Sequence, residues 1–475
     1  MFNLGDRSRA IAFLSLACLV LCGIAGAAPS ITLSKKSGPP TSQILVSGRG
    51  FEPNVGVDIF FDTKDKALVV TNDKGEFDKA GIQVPRSARP GKYWVSAIER
   101  NNDKGAQEPF LVRTDWPTFG FNDHHSGENP YENILGPGNV ANLSIRWMSF
   151  NGGAGLPPAI YHGLAYSVSG DGVVYAMNAS TGTQVWTYSV GVFLSSSPAI
   201  VDGVVYFTSN YGFPANVYAL DASTGALQWK LSIGSQSTSS PVVVDGALYV
   251  GSEDGALYAL NARKGTLNWK YQTGGDVDSS PAVANGVVYV GSWDTNLYAL
   301  NATTGALLWK YPTQGEVNSS PAVVDGVVYF GSDDGNVYAL DAGTGVLLWR
   351  FTTEGSVDSS PAVANGLVFV GSNYSSLYAL NASEGTVRWV GRYPSGWGVP
   401  DGPVVANGVV YVSVITNDFL IWVLDARDAA TGDRFWEYTD GSIISAPVVA
   451  NGLLYANSAS EGGLGSLYAF GLGGR

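Results

Sequence analysis

The segment from Ser319 to Phe351, SSPAVVDGVVYFGSDDGNVYALDAGTGVLLWRF, alternates short β-branched and aromatic runs with polar turn residues. PAVV and VVYFGS flank Asp325-Gly326, a dipeptide suited to the positive-φ hairpin turn between antiparallel strands, and NVYALD and VLLWRF flank AGTG. One such unit is four short strands, which cannot bury both faces alone. Close copies follow on both sides. The clearest ruler is AxDxxxGxxxW, or its Asn variant, at Ala176 to Trp186, Ala219 to Trp229, Ala259 to Trp269, Ala299 to Trp309, Ala339 to Trp349 and Ala379 to Trp389. A diverged copy around Asp425, Gly432 and Trp436 carries three extra residues between Asp and Gly. Eight prolines, from Pro158 to Pro447, open the units, and dipeptides from His162-Gly163 to Asn451-Gly452 mark their hairpins. The pattern predicts an all-β chain whose residues 114–475 form an eight-bladed β-propeller.

The eighth unit ends after SLYAF without a fourth strand, whereas NLSIRWMSF upstream carries an unpartnered strand with Trp147. Strand 143–150 is therefore expected to complete the last blade and remove an exposed edge. Trp147, Trp186, Trp229, Trp269, Trp309, Trp349, Trp389 and Trp436 are assigned to docking between blades, with each indole N–H seeking a backbone carbonyl. Asn178, Asn301 and Asn381 match a glycosylation acceptor, but turn chemistry explains them better.

Residues 29–113 lack the repeat. Runs such as VGVDIFF, ALVVTND and GKYWVSAI, separated by Gly, Pro and Asn-Asp, predict a small β-sandwich. GRGFEPNVGVDIFF, TNDKGEF and PGKYWVSA resemble the immunoglobulin-like (Ig-like) modules in front of many bacterial exported proteins. That resemblance implies a spacer or cap. The stretch DWPTFGFNDHHSGENPYE, Asp115 to Glu132, has no strand period and reads as an ordered lead-in.

Composition adds compartment and charge. Arg7 and Arg9, an apolar run over 10–27 and Ala25-Gly26-Ala27 describe a signal peptide over residues 1–27, with an uncleaved membrane anchor as the alternative reading, and the chain is expected to be exported, periplasmic or extracellular. No later stretch resembles a membrane span. Both cysteines, Cys18 and Cys22, lie inside that signal, which excludes a disulfide framework, thiolate metal sites and a cysteine nucleophile from the mature chain. Residues 30–113 carry 13 Lys and Arg against 10 Asp and Glu, while residues 114–475 carry 12 against 29. So acidic a surface repels nucleic acid.

The motif AxDxxxGxxxW preceded by SSPAVxDGVVYVGS closely resembles the repeat of the pyrroloquinoline quinone (PQQ) propeller superfamily, over about 360 residues. DWP followed by NVANLSIRW is similar to that superfamily's segment before the first blade. The resemblance implies one of two functions: a quinoprotein dehydrogenase holding PQQ and calcium over the central channel, or a non-catalytic BamB-like scaffold sharing the repeat without the cofactor. Fold alone does not separate them.

Propeller function usually collects on loops around one channel mouth. The loops GDVDSSP, GEVNSSP and GSVDSSP place Asp278, Asn318 and Asp358 at equivalent positions, a set suited to a hard cation or, as their repetition favours, to capping the Ser-Ser-Pro turn. A second series brings Trp293, Asp294, Asp333 and Tyr374 to the same face. Two departures from the repeat, RYPSGWGVPDGP with Trp397 and Asp401, and VITNDFLIW with Asp418 and Phe419, mark a further candidate surface. Missing adjacent cysteines, lean blades and the lack of CxxCH, HExxH, GxSxG or GxxxxGK[ST] argue against an enzyme. The leading expectation is a non-catalytic scaffold binding a protein or small ligand on its acidic face, with no catalytic residues, resident metal or cofactor. The alternative is a PQQ- and calcium-dependent dehydrogenase with Asp278, Asn318 and Asp358 near the cofactor. A third expectation is carbohydrate or cell-envelope attachment through Trp293, Tyr374 and Trp397.

Overall fold

The computed structural model describes residues 28–150, 156–210, 214–374, 376–394, 398–399, 402–415, 422–439, 445–458 and 465–473. The apolar segment before Ala28 lies outside them, as do Trp397, Asp401, Asp418 and Phe419. The fold is almost entirely β and separates into two units, Met1–Thr114 and Asp115–Arg475. No helix among the described residues is long and apolar enough to cross a membrane.

In the first unit Ser30–Leu33, Gln43–Arg49 and Phe77–Gln83 form a three-stranded sheet. Ser37–Gly38, Gly105–Val112, Gly91–Glu99, Gly56–Phe61 and Lys64–Val70 form a five-stranded one. The period-2 alternation puts Val95 and Ala97 inside with Ile44, Val46, Ile59, Phe61 and Phe110.

The second unit contains eight sheets of four antiparallel strands, the seventh extended by a short parallel strand, Glu128–Asn129. Blade 5 shows the pattern: Ala322–Val324 lines the channel, followed outward by Val327–Gly331, Asn336–Asp341 and Leu347–Thr352. Asp325 and Gly326, at φ 50° and 80°, make the hairpin turn that sequence predicts, and seven other blades repeat it. Leu143–Phe150 pairs with Ser466–Leu472 as the outer strand of blade 8.

The cores lie between blades. Val242, Tyr249, Leu257 and Ala259 of blade 3, for example, pack on Val283, Val288, Val290 and Tyr298 of blade 4. Each seam is locked at the outer strand by the repeat's own residues. Trp309 Nε1 donates to the Ala342 carbonyl of blade 5 at 3.1 Å, and Tyr289 OH donates to the same carbonyl at 3.0 Å. The Trp309 ring also lies where a Cβ on Gly345 would come within 2.7 Å, at φ 71°. Motif Gly and motif Trp thus serve one contact between successive blades. Trp147, Trp186, Trp229, Trp269, Trp349 and Trp389 donate in the same way to Ala179, Ala222, Ala262, Ala302, Ala382 and Ala429. The Trp147 bond joins blade 8 to blade 1 and closes the ring. Trp436 instead sets its ring edge-to-face on Phe470 of blade 8.

Blade 7 corrects one sequence reading. Its motif acid is Asp428, whose carboxylate accepts from the Ala430 and Thr431 amides, while Ala426 pairs with Trp436. The spacing to Gly432 is regular, and no residues are inserted. Asp425 stands where blade 5 has Tyr338, fully buried, accepting from Tyr393 OH and Arg427 Nε at 2.7 Å with Arg434 Nε at 3.1 Å. The blade 6–7 seam therefore replaces an aromatic contact with an ionic cluster. Asn178 and Asn301 accept from amides two and three residues on, an Asx turn.

Candidate functional site

The two ends of the channel differ. At the hairpin end the lead-in runs around the channel and accepts from the inner strands: Pro117 from Ile200, Asp123 from Val283, His124 from Val323, Ser126 from Val363 and Gly127 from Val405, all at 2.7–2.8 Å. Trp116 exchanges two backbone bonds with Ile160, and Asn129 Nδ2 donates to the Val449 carbonyl. Glu132 and Asp115 accept from the hairpins at Gly452 and His162. Inner-strand N–H groups facing the channel need acceptors, and a Gly- and Asn-rich chain without its own strand period supplies carbonyls in irregular directions. This end is plugged. Sequence reading gave the lead-in order but not this task, because its bonds are made by backbone atoms that carry no residue signature.

At the other end lie the approach loops, which lead into each inner strand, and the mid-blade loops, which join second to third strands. None of them carries Lys, Arg or His. Their Ser-Ser-Pro turns are held by serines of the next blade: Ser279 Oγ donates to the Ser319 carbonyl at 3.2 Å and accepts from the Gly291 amide, while the Ser280 amide donates to Ser320 Oγ at 2.9 Å. The same bonds recur from Ser239 to Ser279 and from Ser319 to Ser359. Capping by Asp278, Asn318 and Asp358, one of the two roles sequence left open for them, is therefore not what these side chains do. One oxygen of each is shielded from solvent and accepts no hydrogen bond, as is Oδ1 of Asp333.

Asp333 and Asp358 face one another across adjacent loops. As carboxylates neither can donate, so the pair is satisfied when one holds a proton. Burial, the Asp358 carboxylate and Glu316 push Asp333 up to about 7. Asn318 Nδ2 reaches Asp333 at 3.4 Å, and Asn373 Nδ2 donates to Asp358 at 2.6 Å. Asp278 is raised by burial against the pull of Thr238 and Trp293, with Asp276 and Glu316 adding to the rise. Glu253 is raised by burial and by Asp278.

Asp294 behaves otherwise. Burial raises it, but Tyr298 OH at 2.5 Å, Asn296 and the Gly274 amide outweigh that and hold it below the usual carboxylate range. Asp254 and Asp334 repeat the arrangement with Tyr258 and Tyr338, so these are turn latches rather than ligand groups. Trp293 and Tyr374 are 42% and 65% exposed at the same mouth. Glu316 was not singled out by sequence, although its place in the repeated loops could have shown it.

The donors do not fit calcium for a PQQ site. No three His, Cys, Asp or Glu side chains converge to hold a metal among the described residues. Asn373 directs an N–H donor at Asp358, where a hard cation needs an oxygen.

No curated protein matches the chain. Among solved structures, BamB from Moraxella catarrhalis is 22% identical over 70% of this chain and 98% of its own, with a TM-score of 0.59. The quinohemoprotein alcohol dehydrogenase ADHIIG from Pseudomonas putida HK5 is 17% identical over 76% of this chain and 81% of its own, at 0.63. A europium-containing methanol dehydrogenase is 15% identical over 76% and 98%, at 0.65. At such identities these likenesses show the fold. The family described as outer membrane protein assembly factor BamB matches residues 132–216, 211–277 and 274–470, which together cover the propeller from the end of the lead-in almost to the last residue, and the chain belongs to that family of PQQ-type repeat propellers.

Proposed function

We propose that this chain is an exported, non-catalytic propeller scaffold that binds a protein or small ligand at the open, acidic mouth, with the N-terminal β unit as an Ig-like spacer. The observation that carries this reading is the chemistry of the mouth: shielded oxygens of Asp278 and Asn318 have no partner, and Asp333 and Asp358 form a pair that one proton satisfies, beside exposed Trp293 and Tyr374 and with no Lys, Arg or His in the loops there. Buried polar groups without partners are costly, so a surface that retains two of them beside a carboxylate pair is poised for a ligand that donates. The fold is shared by a BamB and by dehydrogenases, so the site has to decide between them.

The test is a titration of the purified chain with PQQ plus calcium, following melting temperature and dye-coupled oxidation of simple alcohols and sugars. The scaffold reading expects no shift and no turnover. Saturable stabilisation with turnover would overturn it in favour of the dehydrogenase.

A further inference from the structure

The run from Asp123 to Gly127 bonds one after another to the inner strands of blades 4, 5, 6 and 7, through the amides of Val283, Val323, Val363 and Val405. Within it the His125 ring turns inward, at backbone φ 54° and only 3% exposed. It meets Phe119 edge-to-face at 5.2 Å, and the Pro321 carbonyl lies within hydrogen-bonding reach of the ring. Nδ1 is shielded and has no partner. The ring also lines a chamber of about 30 Å³ walled by Trp116, Pro361, Pro403 and Pro447, room for a water or two.

Around this imidazole only the Pro321 carbonyl and, more weakly, Asp123 favour a positive charge, and burial outweighs both. The inner strands Ala322–Val324, Ala362–Ala364, Val404–Ala406 and Val448–Ala450 contain only Ala and Val. The charged groups that reach it are Asp123 and His124 of its own segment, which pair with each other at 2.8 Å near the surface. Phe119, Trp116 and the wall prolines are uncharged.

We propose that His125 is an acid-sensitive latch, and that protonating its ring releases the run from Asp123 to Gly127 from the inner strands and opens the plugged end of the channel. Protonation would add a second N–H with no protein acceptor and a charge in an apolar chamber. Burial, aided by His124, accordingly holds the ring neutral, with its pKa down at about 4. On either side the lead-in stays anchored by Trp116 to Ile160 and by Asn129 to Val449, so release is local.

Hydrogen exchange of the full chain, corrected for intrinsic rates, tests this at pH 7 and pH 4.5. The amides of Val283, Val323, Val363 and Val405 should lose about 100-fold in protection at pH 4.5, while the Gly291 and Gly331 amides at the opposite mouth keep theirs. In His125→Gln, which cannot take up the proton, protection should be the same at both pH values. Unchanged protection in the wild type, or an equal loss in His125→Gln, would overturn the latch. Should that variant fail to fold, the wild-type imidazole titration followed by NMR decides. A midpoint near 4 in the docked state, with protection falling between pH 6.5 and 4, supports the proposal, and a midpoint near 6.5, or one without loss of protection, contradicts it.

Discussion

The two ends of one channel are built by opposite rules. At the hairpin end an irregular segment satisfies inner-strand donors in six of the eight blades and an inner-strand carbonyl in a seventh, and its side chains, Trp116, Phe121 and Leu135, join the cluster that also holds blades 7, 8 and 1 together. At the mouth the loops satisfy themselves through serines and Tyr-capped aspartates, and the carboxylates left over have no counter-charge in any loop. Paired backbone makes stability. Unpaired, shielded oxygen makes a surface that gains by meeting a partner.

If that contrast is right, the largest effects on folding come from the plugged end. Trp116→Ala removes a fully buried indole from the edge of Phe121 and should cost about 3–5 kcal/mol in urea unfolding of the propeller. Acid should come next. The His125 value in the folded chain lies at about 4, below the ordinary 6.5, so the unfolded chain takes up its proton first as pH falls. The docked plug is therefore fully stable above pH 6.5 and loses up to about 3 kcal/mol as the pH approaches 4, a slope that His125→Gln should abolish.

The mouth should respond with the opposite sign. Asp333, raised to about 7, keeps a proton that the unfolded chain has lost, so its contribution declines as pH rises from the ordinary carboxylate range towards 7. Asp333→Asn should remove that decline and leave the protein equally or more stable at pH 8. The smallest change in stability, within about 0.5 kcal/mol, is expected for Trp293→Ala with Tyr374→Ala, since neither ring is buried. A large loss there would mean that the rings are structural, and the contrast would fail.

The blade pattern was legible because most seams reuse the same residues: Trp309 and Tyr289 meet at one carbonyl while Gly345 makes room for the Trp309 ring, and the 40-residue spacing shows it without coordinates. The work of the lead-in was not legible, since Asp123, His124 and Gly127 act there through main-chain oxygens that any residue possesses. At the mouth, sequence brought Asp278, Asn318, Asp333 and Asp358 to one face, but it could not tell Asp333, which faces Asp358, from its neighbour Asp334, which Tyr338 OH engages at 2.6 Å. Adjacent side chains on a turn point apart, and only their partners show which is spent. Asp425 misled the reading of blade 7 because it lies three residues before the true motif acid, Asp428.

The most direct test of a functional mouth opposite a structural plug is site-specific photo-crosslinking in the producing cell, with the probe placed at Tyr374 or Trp293 in one set and at the exposed hairpin residue His162 in the other. The account predicts a discrete adduct from the mouth positions that disappears when Asp278 and Asp358 are changed to Asn, and none from position 162. Adducts from position 162 alone, or mouth adducts indifferent to those carboxylates, would contradict it.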